Sequence, residues 1–231
     1  MNDLARRIDH TLLKAEATRP QIHRLVAEAT EHEFAAVCIH GVYVRDVARM
    51  LHDTSIKTCA VVAFPLGAAA VTVKASEAKA AAADGAREID FVPHLPYLLK
   101  QDVTSARAEM VEIVKAARSI DGSVVVKAIL ETSLLTQNAS PAEAEARIAT
   151  ACDAARGSGC DFVKTSTGFH PSGGATVEAV TLLKKHCGHL RVKAAGGIRT
   201  RADAVRMIDA GADRLGCSAS VAIVTERSTL Q

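Results

Sequence analysis

The chain has 231 residues, of which 48% are hydrophobic, so it can bury a sizeable core in one large domain or two small ones. Its 28 basic and 26 acidic side chains are well mixed and give a formal net charge of +2, which argues against a nucleic-acid-binding surface or a polybasic membrane patch. With no Trp, two Tyr and five Phe, it is also poorly equipped to stack RNA bases.

The cysteines and histidines show no spacing typical of a metal site. The six cysteines are scattered, and Cys38, Cys59 and Cys217 lie in apolar stretches, which is typical of small buried thiols in a reducing cytosol. The nine histidines form no H-E-x-x-H pattern, so we predict no protein-bound metal. The polar N-terminus and the lack of a long apolar run predict a cytoplasmic protein without signal peptide or membrane span.

Short apolar runs alternate with longer, alanine-rich amphipathic stretches along the chain. The predicted strands cover residues 8–13, 35–40, 58–64, 88–92, 124–130, 161–168 (whose end is a polar loop), 191–195 and 214–218. The predicted helices cover residues 19–33, 42–51, 73–84, 103–119, 140–157, 201–211 and 221–224. Thr18 and Ser140 are expected N-caps, Glu143 an expected capping-box partner and Gly85 an expected C-cap.

This alternation predicts a parallel sheet, because strands that alternate with helices are joined by helical crossover connections. Neither a composition shift nor a Gly/Ser linker marks a second domain, so we predict one α/β domain over residues 1–231. Eight strand–helix units favour a closed (β/α)8 TIM barrel. The competing flavodoxin-like or Rossmann sheet is less favoured, since no G-x-G-x-x-G follows the first strand.

Charged residues are predicted to face the inside of this barrel. Side chains alternate between the interior and the helix layer, and we assume that the aliphatic neighbours face the helices. The residues that this parity turns inward are Asp9, Thr11, Cys38, Asp90, Lys127, Lys164 and Lys193, whereas Thr165 turns outward. A purely structural interior would hold Val, Ile and Leu in layers, so several inward charges indicate a site at the C-terminal mouth.

Two of the inward lysines lie on consecutive strands. Neighbouring strands lie about 4.8 Å apart, so the amines of Lys164 and Lys193 can approach closely. Like charge and desolvation lower the pKa of an amine, so one lysine can be neutral and attack a carbonyl to form a Schiff base. The charged partner and Asp90 would complete the residues that a class I aldolase needs. The same parity serves Lys127, so three lysines remain candidates for the nucleophile.

Glycines follow the last three predicted strands. In this fold the loops after the seventh and eighth strands commonly bind phosphate through backbone N–H groups. The candidate phosphate-binding residues are Gly168, Gly196, Gly197, Gly216 and Ser218. The alternative is that these glycines only form tight turns, but their location favours a phosphate site.

Together these stretches resemble the deoxyribose-phosphate aldolase family, of the shorter bacterial type. The matching motifs are I-D-H-T-L-L at 8–13, F-P-L-G at 64–67, E-I-D at 88–90, V-K-A-I-L-E-T at 126–132, D-F-V-K-T-S-T-G at 161–168, V-K-A-A-G-G-I-R-T at 192–200 and R-L-G at 214–216. The resemblance implies a (β/α)8 barrel that reversibly cleaves 2-deoxy-D-ribose 5-phosphate to acetaldehyde and D-glyceraldehyde 3-phosphate without a cofactor.

The resemblance also implies a role for individual residues. It makes Lys164 the Schiff-base lysine, Lys193 the lysine that perturbs it and Asp90 the proton-transfer residue. Lys127 and Asp9 match residues that line the family's site, and the glycines above with Ser218 match its phosphate cradle. The full set of expected substrate-binding or supporting residues is Lys127, Asp9, Thr11, Cys38 and Thr165. Family members are often dimers, so a homodimer is the expected assembly.

Three positions depart from the family. Two adjacent serines are common after the eighth strand, where this chain has Ser218 and Ala219, and a proline is common at Gly41. Some members end in a tyrosine used in proton relay, whereas residues 228–231 contain none. Two rival functions are a Schiff-base aldolase for another phosphorylated sugar, and a barrel without catalysis that binds phosphorylated metabolites or serves as an oligomeric scaffold.

Overall fold

The computed structural model describes residues 3–226, and they form a closed parallel barrel of eight strands surrounded by helices, as the sequence predicts. The strands are β1 (Ile8–Thr11), β2 (Ala36–His40), β3 (Lys57–Val62), β4 (Glu88–Phe91), β5 (Val125–Ile129), β6 (Phe162–Lys164), β7 (Arg191–Ala195) and β8 (Arg214–Cys217). The helices are α1 (Arg19–His32), α2 (Val44–Met50), α3 (Val71–Ala83), α4 (Leu95–Leu99), α5 (Val103–Arg118), α6 (Thr132–Thr136), α7 (Pro141–Gly157), α8 (Val177–His186), α9 (Arg201–Asp209) and α10 (Ser220–Thr225). Short 3-10 turns cover Ala5–Arg7 and Gly41–Tyr43.

Each strand pairs with the next along the chain, and β8 closes the barrel by pairing with β1, with Leu215 opposite Ile8. The register brings the charged positions into neighbouring rows. Lys164 on β6 pairs with Lys193 on β7, and Asp90 on β4 pairs with Lys127 on β5. The interior charges therefore come from four adjacent strands in two levels, because Lys127 lies opposite Phe162, one inward-facing position before Lys164.

Two apolar clusters stabilise the fold. The larger one fills the layer between barrel and helices, with residues such as Ile89, Val163 and Val192. The smaller one lies among the inward-facing positions and consists of Leu13, Ala36, Cys38, Cys59 and Val61, with Phe64 packed against it. This smaller cluster thus fills part of the interior, and the charged residues lie elsewhere within the barrel, together with the buried Phe162 ring.

Most of the expected caps are present. The Gln21 side chain accepts a hydrogen bond of 2.8 Å from the Thr18 backbone N–H, which closes the start of α1. The Ser140 hydroxyl accepts from the Glu143 N–H at 3.3 Å. The Glu143 carboxylate, however, binds Arg147 at 2.5 Å instead of forming the capping box. An ion pair one turn along the helix has replaced that contact.

The structure contains helices that the sequence analysis did not identify. The helix α8 follows a glycine-rich loop and begins at Thr176, whose hydroxyl accepts from the Ala179 N–H at 3.1 Å. The helices α4 and α6 have five residues each, too few to show a hydrophobic period. None of the helices in the described part of the chain combines the length and apolarity needed to cross a membrane.

Candidate active site

Asp90 lies at the centre of the barrel interior and binds three lysines. Its Oδ1 accepts a hydrogen bond from Lys127 Nζ at 2.8 Å. Its Oδ2 accepts from Lys164 Nζ and from Lys193 Nζ, both at 2.8 Å. All four side chains are buried. One carboxylate therefore holds the amines of three strands within a single hydrogen-bonded cluster.

A second layer of charges lies beside this cluster. Lys193 also binds Asp9, whose other oxygen accepts from Arg214 at 2.6 Å. Arg214 reaches Glu88 at 3.3 Å, and Glu88 pairs with Lys127 at 2.6 Å. Glu88 and Arg214 were not among the predicted site residues. The signal was available for Glu88, because a residue two positions before an inward-facing Asp90 shares its side of the strand.

The network controls the protonation of its members. Burial raises the pKa of Asp90, but the three lysines outweigh it and hold that pKa well below its ordinary value. Burial likewise opposes ionisation of Asp9, yet Lys193 and Arg214 lower its pKa to about 2. Burial lowers the pKa of Lys193, but the Asp9 and Asp90 carboxylates outweigh this and raise it above its ordinary value. The amine of Lys193 is therefore held in its charged form.

Lys127 is held in the same state. Burial alone would lower its pKa, but the carboxylate of Asp90, with Cys59 and Glu88, raises that pKa well above its ordinary value. A lysine held so firmly as a cation is a poor nucleophile, because only the neutral amine attacks a carbonyl. The raised pKa values of Lys127 and Lys193 therefore argue against either residue as the attacking amine.

A cavity of about 380 Å³ opens above the network at the C-terminal mouth of the barrel. It is lined by Thr11, Leu12, Leu13, Lys14, Lys164, Thr167, Gly168, Phe169, Ala195, Gly196, Gly197, Ile198, Arg199, Gly216 and Ser218. Lys164 is the one member of the three-lysine cluster among these lining residues, whereas Lys127 and Lys193 are 0% exposed. A ligand in this cavity would meet Lys164 first.

A larger depression of about 660 Å³ lies outside the barrel, beside α3 and α5. Alanines, His94, Tyr97 and Glu109 are among the residues that line it, and none of the three inward lysines is among them. Size alone therefore does not locate the chemistry, and the smaller cavity is the candidate site.

All five predicted phosphate-binding residues are among those that line the cavity. Gly196 has φ +91°, and its Cα lies close to Gly168 and Gly174, so a side chain there would meet strain and backbone at once. A Cβ at Gly216 would lie 3.1 Å from the Lys193 Cε. Glycine at these two positions keeps the backbone accessible from the cavity and leaves room for the buried lysine.

Three other predicted residues lie in different surroundings. Thr11 lines the cavity, and its hydroxyl donates to the Asp9 carbonyl at 2.8 Å. The Thr165 hydroxyl donates to the Ala195 carbonyl at 3.1 Å and accepts from its N–H at 3.0 Å, so it joins β6 to β7. Cys38 lies next to Cys59, outside the cavity lining. Thr11 is thus placed to touch a ligand directly, while the other two support the barrel wall.

Several lining residues were missed or discounted in the sequence. Lys14 and Arg199 add two positive charges to the cavity, and neither was among the predicted site residues. Phe169 packs edge-on against Phe64 with ring centroids 5.2 Å apart. A lysine or arginine in a loop has no periodic pattern around it, so its direction could not be read from the sequence.

Within the described residues 3–226, two groups of thiols and carboxylates come close enough to suggest metal ligands. In one of them, Cys38, Cys59 and Asp90 lie with their ligand atoms within 4.8 Å of one another. The ammonium of Lys127 is already 2.8 Å from Asp90 and 3.5 Å from the Cys59 sulfur. The Lys127 ammonium thus provides the positive charge next to these candidate ligands. The absence of a bound metal stays a prediction.

Comparison with known proteins gives a consistent assignment. Residues 4–222 match the family model described as DeoC/LacD family aldolase. A deoxyribose-phosphate aldolase from Thermoanaerobacter sp. (strain X514) is 46% identical over 230 residues, covering 99% of both chains. A second, from Caldanaerobacter subterraneus, is 47% identical over 225 residues, covering 97% of this chain and 93% of the relative.

Solved structures agree with the sequence relatives. The tetrameric deoxyribose phosphate aldolase from Aeropyrum pernix matches with a TM-score of 0.88 at 35% identity, covering 100% of this chain and 93% of that one. A structure described as a putative deoxyribose-phosphate aldolase from Coccidioides immitis matches with a TM-score of 0.87 at 40% identity, covering 96% and 84%. The chain therefore belongs to the DeoC/LacD family of aldolases and is similar over nearly its whole length to the deoxyribose-phosphate aldolases.

Proposed function

We propose that this protein is a class I aldolase that reversibly cleaves 2-deoxy-D-ribose 5-phosphate to acetaldehyde and D-glyceraldehyde 3-phosphate, in deoxyribose phosphate catabolism. The observation that carries the proposal is the position of Lys164. Its amine lies at the floor of an open cavity and is hydrogen-bonded to a buried aspartate that two further lysines share. A carbonyl compound entering the cavity meets a lysine amine with a proton acceptor 2.8 Å away.

The reaction starts when Lys164 Nζ attacks the substrate aldehyde carbon. The carbinolamine loses water to give an iminium, and Asp90 moves the required protons together with Lys127 and a water molecule. Deprotonation of the hydroxyl at C3 breaks the C2–C3 bond, so that C3 becomes the aldehyde carbon of the departing D-glyceraldehyde 3-phosphate. The bonding electron pair enters the iminium to give an enamine. Protonation of the enamine and hydrolysis release acetaldehyde. The iminium is itself the electron sink, so the proposal needs no cofactor.

Lys193 has an electrostatic part in this scheme. Its charged form is fixed by Asp9 and Asp90, as the raised pKa of Lys193 indicates. A positive charge in general favours the neutral form of an amine beside it, and this is the role that we propose for Lys193 toward Lys164. The proposed roles of Lys164 as nucleophile and Lys193 as its charged neighbour are supported by their positions. Lys193 is fully buried and paired, while Lys164 lines the cavity.

The glycine side of the cavity is the proposed phosphate site. Backbone N–H groups around Gly196, Gly197 and Gly216 are suited to an anion, and Ser218 adds a hydroxyl. Lys14 and Arg199 supply positive charge at the same cavity. Ala219, in the place of a second serine, removes one hydroxyl from this cradle and leaves its backbone donors.

The test is to trap the iminium with borohydride in the presence of acetaldehyde and to map the modified peptide. The adduct is expected on Lys164, and a reduced adduct on another residue would overturn the assignment. Lys164→Leu should lose turnover and trapping together, whereas the exposed Lys115→Met should retain both. Full activity of Lys164→Leu would contradict the proposed mechanism.

Two wider statements belong to the same proposal. We propose a cytoplasmic location, in keeping with six cysteines that are all free and buried. We also propose a homodimer, which sedimentation at several protein concentrations would test.

A rival Schiff-base aldolase for another sugar phosphate would be favoured if a substrate panel gave a higher kcat/KM for a different aldehyde acceptor. Stabilisation by sugar phosphates without turnover would favour a barrel that only binds them.

A further inference from the structure

Glu131 is a buried acidic residue that the reaction scheme does not use. It lies two residues after the end of β5 and is 0% exposed. Its backbone is left-handed, with φ +52° and ψ +56°, a region that residues other than glycine rarely occupy. A buried carboxylate on a strained backbone persists only when specific contacts hold it there.

Among the described residues, the hydrogen bonds of the Glu131 carboxylate are all with Thr167. The Thr167 N–H lies 3.3 Å from both carboxylate oxygens of Glu131. The Thr167 hydroxyl donates to Oε2 of Glu131 at 2.7 Å. Thr167 belongs to the loop that follows Lys164 on β6, and both residues line the cavity. Glu131 therefore anchors a cavity wall three residues from the proposed nucleophile.

The hydrogen bond to Glu131 determines whether the Thr167 hydroxyl can donate or accept a hydrogen bond with a ligand. A hydroxyl has one proton to donate and two lone pairs to accept with. The proton is committed to Glu131, and the Phe169 N–H donates to the same oxygen at 3.1 Å. One lone pair remains for the cavity, so Thr167 can accept a hydrogen bond from a ligand but has no proton left to donate.

We propose that Glu131 is a positioning residue that makes Thr167 a fixed hydrogen-bond acceptor for a hydroxyl of the substrate. This inference rests on the proposed function. In the synthetic direction the acceptor aldehyde would be recognised by a hydroxyl on the carbon next to its carbonyl group. Glu131 itself touches no substrate in this scheme and acts only through Thr167.

The surroundings of Glu131 agree with this role. Burial raises the pKa of the carboxyl group above its ordinary value, and the Thr167 hydrogen bonds reduce this rise because they stabilise the carboxylate. A carboxylate is an acceptor only, which is the form that holds the Thr167 proton in one direction. The neighbouring Thr132 provides a contrast, since its buried hydroxyl has no partner within residues 3–226.

The experiment compares two acceptor aldehydes in condensation with acetaldehyde. One is D-glyceraldehyde 3-phosphate, and the other is 3-oxopropyl phosphate, which has the same chain and phosphate but lacks the hydroxyl. The measured quantity is the kcat/KM for D-glyceraldehyde 3-phosphate divided by the kcat/KM for 3-oxopropyl phosphate. We expect this ratio to fall about fivefold or more in Thr167→Val and in Glu131→Met, because one hydrogen bond is lost. Glu131→Gln keeps one acceptor oxygen and should give an intermediate ratio, while Thr132→Val should keep the wild-type ratio.

Borohydride trapping of acetaldehyde is the second measurement, because acetaldehyde carries no hydroxyl. Glu131→Met should be trapped at the wild-type rate, whereas a general structural defect would reduce trapping and both kcat/KM values together. The double variant with Thr167→Val should be no worse than Thr167→Val alone. A wild-type ratio in Glu131→Met, or additive losses in the double variant, would overturn the inference.

The two proposals fail in different ways. If the wild-type protein neither traps acetaldehyde nor condenses it with D-glyceraldehyde 3-phosphate, the proposed function and the inference fall together. If the wild type does both and Glu131→Met keeps its preference for the hydroxylated aldehyde, only the inference is wrong. If Glu131→Met does not fold, Glu131→Gln decides, since an unchanged ratio there combined with a reduced ratio in Thr167→Val would show that Glu131 does not control the hydroxyl.

Discussion

Asp9 illustrates how a fully buried carboxylate is kept ionised by its neighbours instead of by water. It is 0% exposed, and its two oxygens bind Lys193 and Arg214. These cations more than compensate for the loss of hydration, so the pKa of Asp9 falls from 3.8 to about 2. The residue joins the active-site charges to the strand that closes the barrel.

The depressed pKa of Asp9 predicts a specific dependence of stability on pH. The stabilisation from its ionised form is fully present above the unfolded pKa near 4 and is lost as the pH falls toward about 2. It amounts to about 2 kcal/mol. We expect the difference in unfolding free energy between wild type and Asp9→Asn to be largest at neutral pH and to shrink below pH 4.

Urea unfolding between pH 3 and pH 7 would measure this difference. The control is Asp153→Asn, since Asp153 is a half-exposed residue with arginine partners on the surface. Its effect on stability should be small and screened by salt, as for other surface ion pairs. A wild-type advantage over Asp9→Asn that stays constant throughout the pH range would contradict the prediction.

At this scale, strand parity predicted the direction of the charges but not how they pair. Asp90, Lys127 and Lys164 face inward as alternation requires. Parity alone left three candidate lysines, and their exposure to the cavity was needed to distinguish them. The Glu131–Thr167 contact joins the ends of β5 and β6 through a left-handed residue. No local sequence pattern predicts that backbone conformation, so the contact between Glu131 and Thr167 could not be predicted from the sequence.

At the scale of elements, a buried ion pair joins two neighbouring helices. Lys74 on α3 is 0% exposed and binds Glu109 on α5 at 2.8 Å. The same amine donates to the Gly67 carbonyl at 2.6 Å and to the Val92 carbonyl at 3.2 Å. Glu109 in turn accepts from the His94 N–H at 2.7 Å. The pair therefore ties two helices to the loops that follow β3 and β4.

We expect Lys74→Met to lower the free energy of unfolding by about 3 kcal/mol, because it leaves a buried carboxylate and two carbonyl groups without their donor. The double variant with Glu109→Leu should recover part of this loss, since it removes the unpaired charge as well. Guanidinium unfolding would measure both effects, with the exposed Lys79→Met as the control. A double variant less stable than Lys74→Met would show that the ion pair is not the source of the effect.

The sequence could not have shown this pair. Lys74 stands in an alanine-rich helix beside other charged residues, where a lysine is usually solvated. The hydrophobic pattern of α3 is too weak to distinguish a buried face, because alanine is compatible with both surface and core. The helix itself was predicted to within two residues at its start, while the direction of its lysine depended on a partner in another helix.

At the scale of the whole molecule, the barrel is closed by both backbone and charge. The fold class was predictable because eight alternating strand and helix segments favour one architecture. Closure itself depends on the pairing of β8 with β1, which joins the two ends of the barrel. Arg214 on β8 reinforces this seam by binding Asp9 on β1, and it also reaches across the interior to Glu88 on β4.

Arg214 is therefore expected to stabilise the closed barrel as a unit. Arg214→Met should lower the free energy of unfolding by about 3 kcal/mol, because two buried carboxylates lose a charged partner. Arg214→Lys should recover only part of this, since an ammonium cannot present the two separate donors with which guanidinium reaches both acids. Hydrogen exchange followed by mass spectrometry should show the largest loss of protection in the peptides that contain β1 and β8. Faster exchange confined to β4, with the seam still protected, would mean that Arg214 serves the interior network and not closure of the barrel.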